Sequence, residues 1–232
     1  MKEQSVRTAM LLGMNAPDRL AAKHVCVYGI GGVGSFCAEA LARAGVGHLT
    51  LVDDDVVSES NLNRQLVALR STIGCPKTEV MANRIADINP DCRVTVLTRR
   101  YEPQTRESFF TEHLDYIADA IDSVACKTDL IVSAHERNIP IISAMGTGNK
   151  LDPTQFVITD LSKTSGCPLA RVMRRELKAQ GITHHTVLYS TEPAVKPLFQ
   201  PEEGTHVPGS VSWTPSCAGL MLAGYIVRQL LD

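Results

Sequence analysis

Along the first 146 positions apolar residues come in short runs separated by amphipathic stretches. The run His24-Val25-Cys26-Val27-Tyr28 reads as a buried strand, because a short apolar run bounded by turn residues suits a strand covered on both faces. The same reading predicts a helix over 33–44, a strand over 48–52 and a helix over 76–88. Pro76 falls near the first turn of that last helix, where its missing N–H costs little. Residues 93–97 alternate like a strand, and strands over 116–120 and 139–143 flank a helix over 123–137. This βαβ rhythm predicts an α/β, Rossmann-like, mainly parallel sheet with helices on both faces.

After Gly146 the texture changes. Residues 156–160 and 186–191 read as strands, 168–179 as a basic amphipathic helix, 193–208 as a proline-rich crossing loop and 216–231 as a mostly apolar closing helix. This third is too short to bury much surface alone. The expectation is one domain over 1–232, with a nucleotide-binding core at 1–146 and an extension of the same sheet, with antiparallel strands, at 147–232.

Composition narrows the class. The 232 residues are 44% hydrophobic and 21% charged, ordinary for a soluble globular chain. No apolar run approaches the roughly 18–20 residues that span a bilayer, and the polar start leads into no signal-peptide core; the expected location is the cytoplasm. A net charge of −2 gives no global case for nucleic acid, so such a partner needs a local basic patch. Cysteines at 26, 37, 75, 92, 126, 167 and 217 are odd in number and lack paired spacing, as reduced thiols do. There is no C-x-x-C, so no structural zinc is expected.

The chemistry starts at Gly29-Ile30-Gly31-Gly32-Val33-Gly34, which follows an apolar strand and opens a helix. Glycines there allow a tight turn, let backbone N–H groups approach an anion, and place it at a helix N-terminus. Asp53 ends the next strand about 20 residues on, where a carboxylate binds ribose hydroxyls. Asn61, Arg64, Gln65 and Lys77 follow. A guanidinium and an ammonium near the phosphate end suit a triphosphate, whose charge grows on the leaving pyrophosphate. Asp122 ends another parallel strand at the same sheet edge, placed to hold Mg²⁺ beside ATP through oxygen.

Gly29–Ser35, Leu51–Asp55, Asn61-x-x-Arg64-Gln65, Gly74-Cys75-Pro76-Lys77 and Ala120-Ile121-Asp122-Ser123 occur in register. Over about residues 7–146 they resemble the adenylating domain of ubiquitin-activating-enzyme-like proteins. That resemblance implies that the last glycine pair and Asp53 hold adenosine, that Asn61, Arg64 and Lys77 hold phosphates, and that Asp122 serves magnesium. It places Asp55, Gln65 and Ser123 in the same site. It also implies a homodimer in which Arg7 reaches the neighbour's phosphates, with Arg19 as the alternative.

Leu151–Gln155, Thr159–Thr164, Pro168–Ala170, Tyr189–Pro193, Val80-Met81 and Ile88-Asn89-Pro90 are similar to the tRNA threonylcarbamoyladenosine dehydratase branch of that family. The branch implies ATP-dependent cyclisation of a modified adenosine in the anticodon loop of tRNA. Two other readings stay open: an adenylating activator of a ubiquitin-like or sulfur-carrier protein tail, and a non-catalytic nucleotide-binding partner of a cysteine-desulfurase or sulfur-acceptor system.

Cys26 and Cys37 read as packing. Cys167 and Cys217, each read at a helix start, are either covalent acceptors or cap positions. His184-His185 lacks a third metal ligand and reads as a loop. Arg171, Arg174, Arg175 and Lys178 form a basic helix face, either solvated or, given the resemblance, the RNA patch.

Overall fold

The computed structural model describes residues 2–201 and 207–232. Its strands are β1 (His24–Tyr28), β2 (His48–Val52), β3 (Arg93–Leu97), β4 (Tyr116–Asp119), β5 (Ile141–Ala144), β6 (Phe156–Asp160) and β7 (Thr186–Ser190). Its helices are α1 (Val6–Leu12), α2 (Ala16–Ala21), α3 (Gly34–Ala44), α4 (Lys77–Ile88), α5 (Val124–Glu136), α6 (Pro168–Ala179) and α7 (Trp213–Leu231). The strands form one sheet ordered β3-β2-β1-β4-β5-β7-β6. All neighbours are parallel except β6 and β7.

All five residues of β1 are buried. Val25 and Val27 join the core on one face, with Leu41 of α3, Met81 of α4 and Ile226 of α7. Cys26 and Tyr28 join the core on the other, with Leu130 of α5 and Met173 of α6. This two-sided cover is why the strand reads as an apolar run rather than an alternation. From β1 the chain winds outward to β2 and β3, then crosses back to β4 and β5. The order therefore switches between β1 and β4, and a crevice opens there at the carboxyl edge.

The C-terminal extension carries the antiparallel pair of the sheet, as expected: β6 opposes β7, and β7 itself lies parallel to β5. The end of β6 lies beside the start of β7, Asp160 opposite Thr186, so β6 itself returns the chain to the edge from which β7 runs parallel to β5. One expectation needs correction. The closing helix starts at Trp213, three residues before the predicted 216. Thr214 and Pro215 belong to its first turn, where proline is tolerated. Cys217 therefore lies in the second turn, half-buried, and starts no helix. Residues 193–201 and 207–208 have no regular structure, as expected; the rest of that loop, 202–206, lies outside the described residues.

Three histidines are built in neutral. His24 and His48 stack at the amino ends of β1 and β2, ring centroids 3.5 Å apart. Their Nε2 atoms share hydrogen bonds with Thr50 and Thr95, at 2.8 and 2.9 Å. His185 is buried against the Ser143 hydroxyl at 2.8 Å. Burial lowers the pKa of His24, and burial plus the charge of its stacked neighbour takes His48 to about 4. Burial, then His135 and Lys127, takes His185 to about 3.

The unfolded chain binds protons at these sites from pH 6.5 downward, so their stability is present above that pH and falls on acidification. For His185 the loss is about 2 kcal/mol by pH 5. Urea unfolding of wild type and His185→Gln at pH 7.5 and pH 5 should show a pH dependence smaller by that amount in the variant; equal pH dependence would refute the assignment.

Candidate functional site

Between β1 and α3 main chain packs directly against main chain. Gly29 has φ +85°, and a Cβ there would lie 2.7 Å from the Ala120 carbonyl oxygen. A Cβ on Gly34 would lie 1.7 Å from the Gly29 carbonyl oxygen. Gly34 thus clamps helix to strand and does not line the cavity, which corrects its expected place among the ligand-facing glycines. Gly29, Gly31 and Gly32 do line it. Ser35 Oγ donates to the Gly31 carbonyl at 2.6 Å and accepts the Leu66 N–H at 3.3 Å, tying the turn to the 61–66 segment.

The cavity is about 670 Å³ and sits at the switch point of the sheet. Asp53, from the end of β2, accepts the Ile30 N–H at 2.6 Å and the Asp55 N–H at 2.9 Å. Burial raises its pKa, opposed by those two N–H groups and by Lys77. Lys77 opens α4 and is 4% exposed; its Nζ donates to Asp55 Oδ2 at 2.6 Å. Arg64 is half-buried, and its Nη1 donates to the Ser60 carbonyl and to Asn63 Oδ1, both at 2.9 Å. Asn61 caps a short 3-10 turn, accepting the Ser58 N–H at 3.1 Å. Gln65 Oε1 is buried in the wall with no protein donor, so its hydrogen bond awaits a ligand or water. Asp122, exposed, and Ser123 come from the loop after β4.

The far wall is different. Met145, Gly146, Thr147 and Gly148 follow β5, and Leu169, Pro208, Ser210 and Pro215 complete it. Gly209 and Asn149 exchange two bonds of 2.7 Å, and Asn63 Nδ2 donates to the Ser210 carbonyl at 3.1 Å. One end of the cavity therefore offers a glycine turn, an ammonium and a guanidinium, which suit a polyphosphate. The other end is mostly apolar and uncharged.

The chain matches the ThiF family over residues 5–232. It belongs to that family. It is 43% identical to the tRNA threonylcarbamoyladenosine dehydratase of Bacillus subtilis, over 100% of this chain and 96% of that protein. It is 44% identical to the Escherichia coli dehydratase, over 82% of this chain and 74% of the relative. The crystal structure of the E. coli enzyme with ATP superposes with a TM-score of 0.91 at 38% identity, covering 99% of this chain and 94% of that one. The same enzyme with AMP gives 0.89.

The ThiF-family cavity gathers Gly29, Gly31, Gly32, Asp53, Asp55, Asn61, Arg64, Gln65, Lys77, Asp122 and Ser123. Arg7, exposed on α1, is not part of its own cavity. Arg174 leaves the expected basic face: its Nη1 donates to the Thr164 carbonyl at 2.8 Å and to the Thr164 hydroxyl, holding the turn before α6. Arg171, Arg175 and Lys178 are exposed, and Arg175 pairs with Glu176 at 2.6 Å. Cys167 is the N-cap of α6, its sulfur accepting the Ala170 N–H at 3.5 Å, which favours the cap reading. His184 and His185 lie in a loop as read, but only His184 faces solvent.

Sequence reasoning missed Arg99, Arg100, Tyr101, Cys126 and the 145–148 segment, all in the cavity wall. The first three follow β3 and the last follows β5, so the rule that ligands meet the carboxyl ends of strands points to both.

The glycines should separate on substitution. Gly34→Ala drives a methyl into backbone and should cost 3 kcal/mol or more (roughly the upper end for overpacking), read as a fall in Tm or loss of soluble protein. Gly31→Ala meets only Gln65 Nε2, at 3.7 Å. It should hold stability within about 0.5 kcal/mol and weaken nucleotide binding. Equal thermal shifts would show the two glycines doing one job.

Proposed function

We propose that this chain is an ATP-dependent tRNA threonylcarbamoyladenosine dehydratase that activates the substrate carboxylate by adenylation. The observation that carries the reading is a cavity combining a glycine turn, Asp53, two cations and a free carboxylate, in a chain similar over its whole length to dehydratases of that name. Its structural relative was solved with ATP and with AMP, the nucleotides expected before and after adenylate chemistry.

In this reading Gly29, Gly31, Gly32 and Asp53 hold the adenosine, and Asn61, Gln65, Arg64 and Lys77 surround the phosphates. The carboxylate oxygen attacks the α-phosphorus, forming the acyl adenylate and releasing pyrophosphate. A nitrogen or oxygen of the same modified base then attacks the acyl carbon, closes the ring and releases AMP. Holding both groups on one nucleoside gives the closure a high effective molarity, so no cysteine nucleophile is needed. Arg64 and Lys77 meet charge that grows on the leaving pyrophosphate. Lys77 waits on Asp55 until phosphate oxygens replace that partner. Asp122, a hard oxygen donor open to the cavity, would hold Mg²⁺ bound with the triphosphate, and the ion would supply charge neutralisation there. The apolar far wall accommodates the modified base.

A reaction on ATP and tRNA suits the cytoplasm, where both are found; among the described residues no helix is long and apolar enough to cross a membrane. The partner set includes a second copy of this chain. Support comes from α1, where Met10 and Leu11 are 78% and 88% exposed beside Arg7, an apolar surface of the kind subunits cover.

ATP–pyrophosphate exchange should depend on tRNA carrying threonylcarbamoyladenosine. Lys77→Ala and Arg64→Ala should each slow it by roughly 10²–10³ at saturating ATP. Asp122→Ala should abolish the Mg²⁺-dependent exchange while leaving the fold intact, and Arg7→Ala should slow it without unfolding the protein. Exchange driven by a carrier-protein tail instead of tRNA would transfer the assignment to the activator class; a monomer in sedimentation equilibrium would remove the role of Arg7.

For tRNA docking, the stripe Arg171, Arg175 and Lys178 replaces the four-residue face. Changing all three to Ala should flatten the slope of log K against log salt by about 2–3, at about 0.7–0.9 per phosphate contact. ATP affinity should not move. An unaltered slope rules the stripe out.

A further inference from the structure

Beneath the cavity lies an ion pair that the chemistry above does not use. Asp119 ends β4 and Lys127 lies in the first turns of α5; both side chains are 0% exposed, with Nζ 2.7 Å from Oδ2. Neither lines the cavity. Removing two charges from water is costly, and such a pair is often no more stable than apolar residues of the same volume. Its effect on neighbouring backbone is the informative part. The second oxygen of Asp119, Oδ1, accepts the Ile121 N–H at 3.0 Å. The Lys127 N–H donates to the Ser123 carbonyl at 2.9 Å, closing the first turn of α5. The Ala120 N–H donates to the Tyr28 carbonyl at 2.8 Å. Residues 120–123 are thus held at three points: by the end of β1, by the Asp119 carboxylate and by the start of α5. The one residue of the loop that reaches solvent as an exposed side chain is Asp122.

We propose that the Asp119–Lys127 pair is a positioning device that fixes the loop presenting Asp122 to Mg²⁺–ATP, a proposal that rests on the role given above to Asp122. Lys127 orients the carboxylate; the carboxylate fixes the Ile121 amide; the next residue is Asp122. Neither partner touches nucleotide, so both act through the loop.

The test is the gain in ATP affinity that Mg²⁺ produces, measured by calorimetry with Mg²⁺ and with EDTA, with no turnover required. In the wild type the two ligands should tighten each other by a factor of about 5–150, the usual span of coupling between sites. Asp122→Ala should lose that gain. The apolar replacement Asp119→Val with Lys127→Met removes both charges together and should keep the wild-type Tm, yet lose most of the gain. Its affinity for ATP in EDTA should stay within about threefold of wild type, since the glycine turn and Asp53 are untouched. Placed in the Asp122→Ala background, the same replacement should cause no further loss, because both act on one contact.

A purely structural pair gives other results. The gain survives in a folded Asp119→Val/Lys127→Met protein, or its effect adds to that of Asp122→Ala; either overturns the proposal. So does a wild-type affinity indifferent to Mg²⁺. If the apolar pair does not fold, the near-isosteric Asp119→Asn gives the reading instead: a reduced gain is expected, and a full one overturns the proposal. Wild-type ATP–pyrophosphate exchange with modified tRNA, run alongside, reports on the function itself. Its absence with the Mg²⁺ gain intact would remove the dehydratase reading and leave the positioning role standing.

Discussion

Everything in the site hangs on one close approach of backbone. β1 must deliver the chain into α3 while the end of β4 passes against the same turn, and three stretches of main chain meet at Gly29, Gly34 and Ala120. A side chain at Gly34 would push α3 off the turn, and one at Gly29 would push the turn off the end of β4. With them absent, Gly29, Gly31 and Gly32 line the cavity, the Ser35 hydroxyl ties the turn to the segment bearing Arg64, and Asp53 braces it from β2. The anion-facing surface is the consequence of a packing solution.

The cavity is divided by the order of the sheet. Loops after β1, β2, β3 and β4, with the start of α4, bring the glycine turn and the charged side chains; the loop after β5 and the N-terminal ends of α6 and α7 bring an uncharged wall. The last third of the chain is essential to this division. Trp213 Nε1 donates to the Leu151 carbonyl at 2.7 Å and the Thr214 hydroxyl to the Lys150 carbonyl at 3.1 Å, so the start of α7 is fixed to the loop after β5. The cavity thus has a charged end and a less polar end.

Charge in this protein is placed locally, since the total is near zero. Asp53, Asp54 and Asp55 crowd the mouth of β2, where anions would be repelled, yet each of the two lining positions with a resolved partner is committed: Asp53 to backbone N–H groups and Asp55 to Lys77. The deepest charges, Asp119 and Lys127, cancel each other out of sight of solvent. What faces the cavity is therefore less acidic than the residue count suggests.

The strands of the core, their parallel arrangement and the glycine turn were legible in the sequence, because a doubly covered strand leaves an apolar run and a nucleotide turn needs glycines at fixed spacing. Asp53, Lys77 and Asp122 were legible for the same reason, each standing at a strand end or helix start whose place followed from that pattern. The tertiary structure alone decided the rest. Gly34 became a clamp and Arg174 a tie to Thr164 because their partners lie elsewhere in the chain. The direction of β7, the place of Arg99 and Arg100 in the wall, and the pairing of Asp119 with Lys127 follow from which elements meet in space. Periodicity records whether a residue is buried, and spacing records the local turn. Neither records which distant backbone or charge the residue will be buried against, and that contact is settled only when the sheet closes around it.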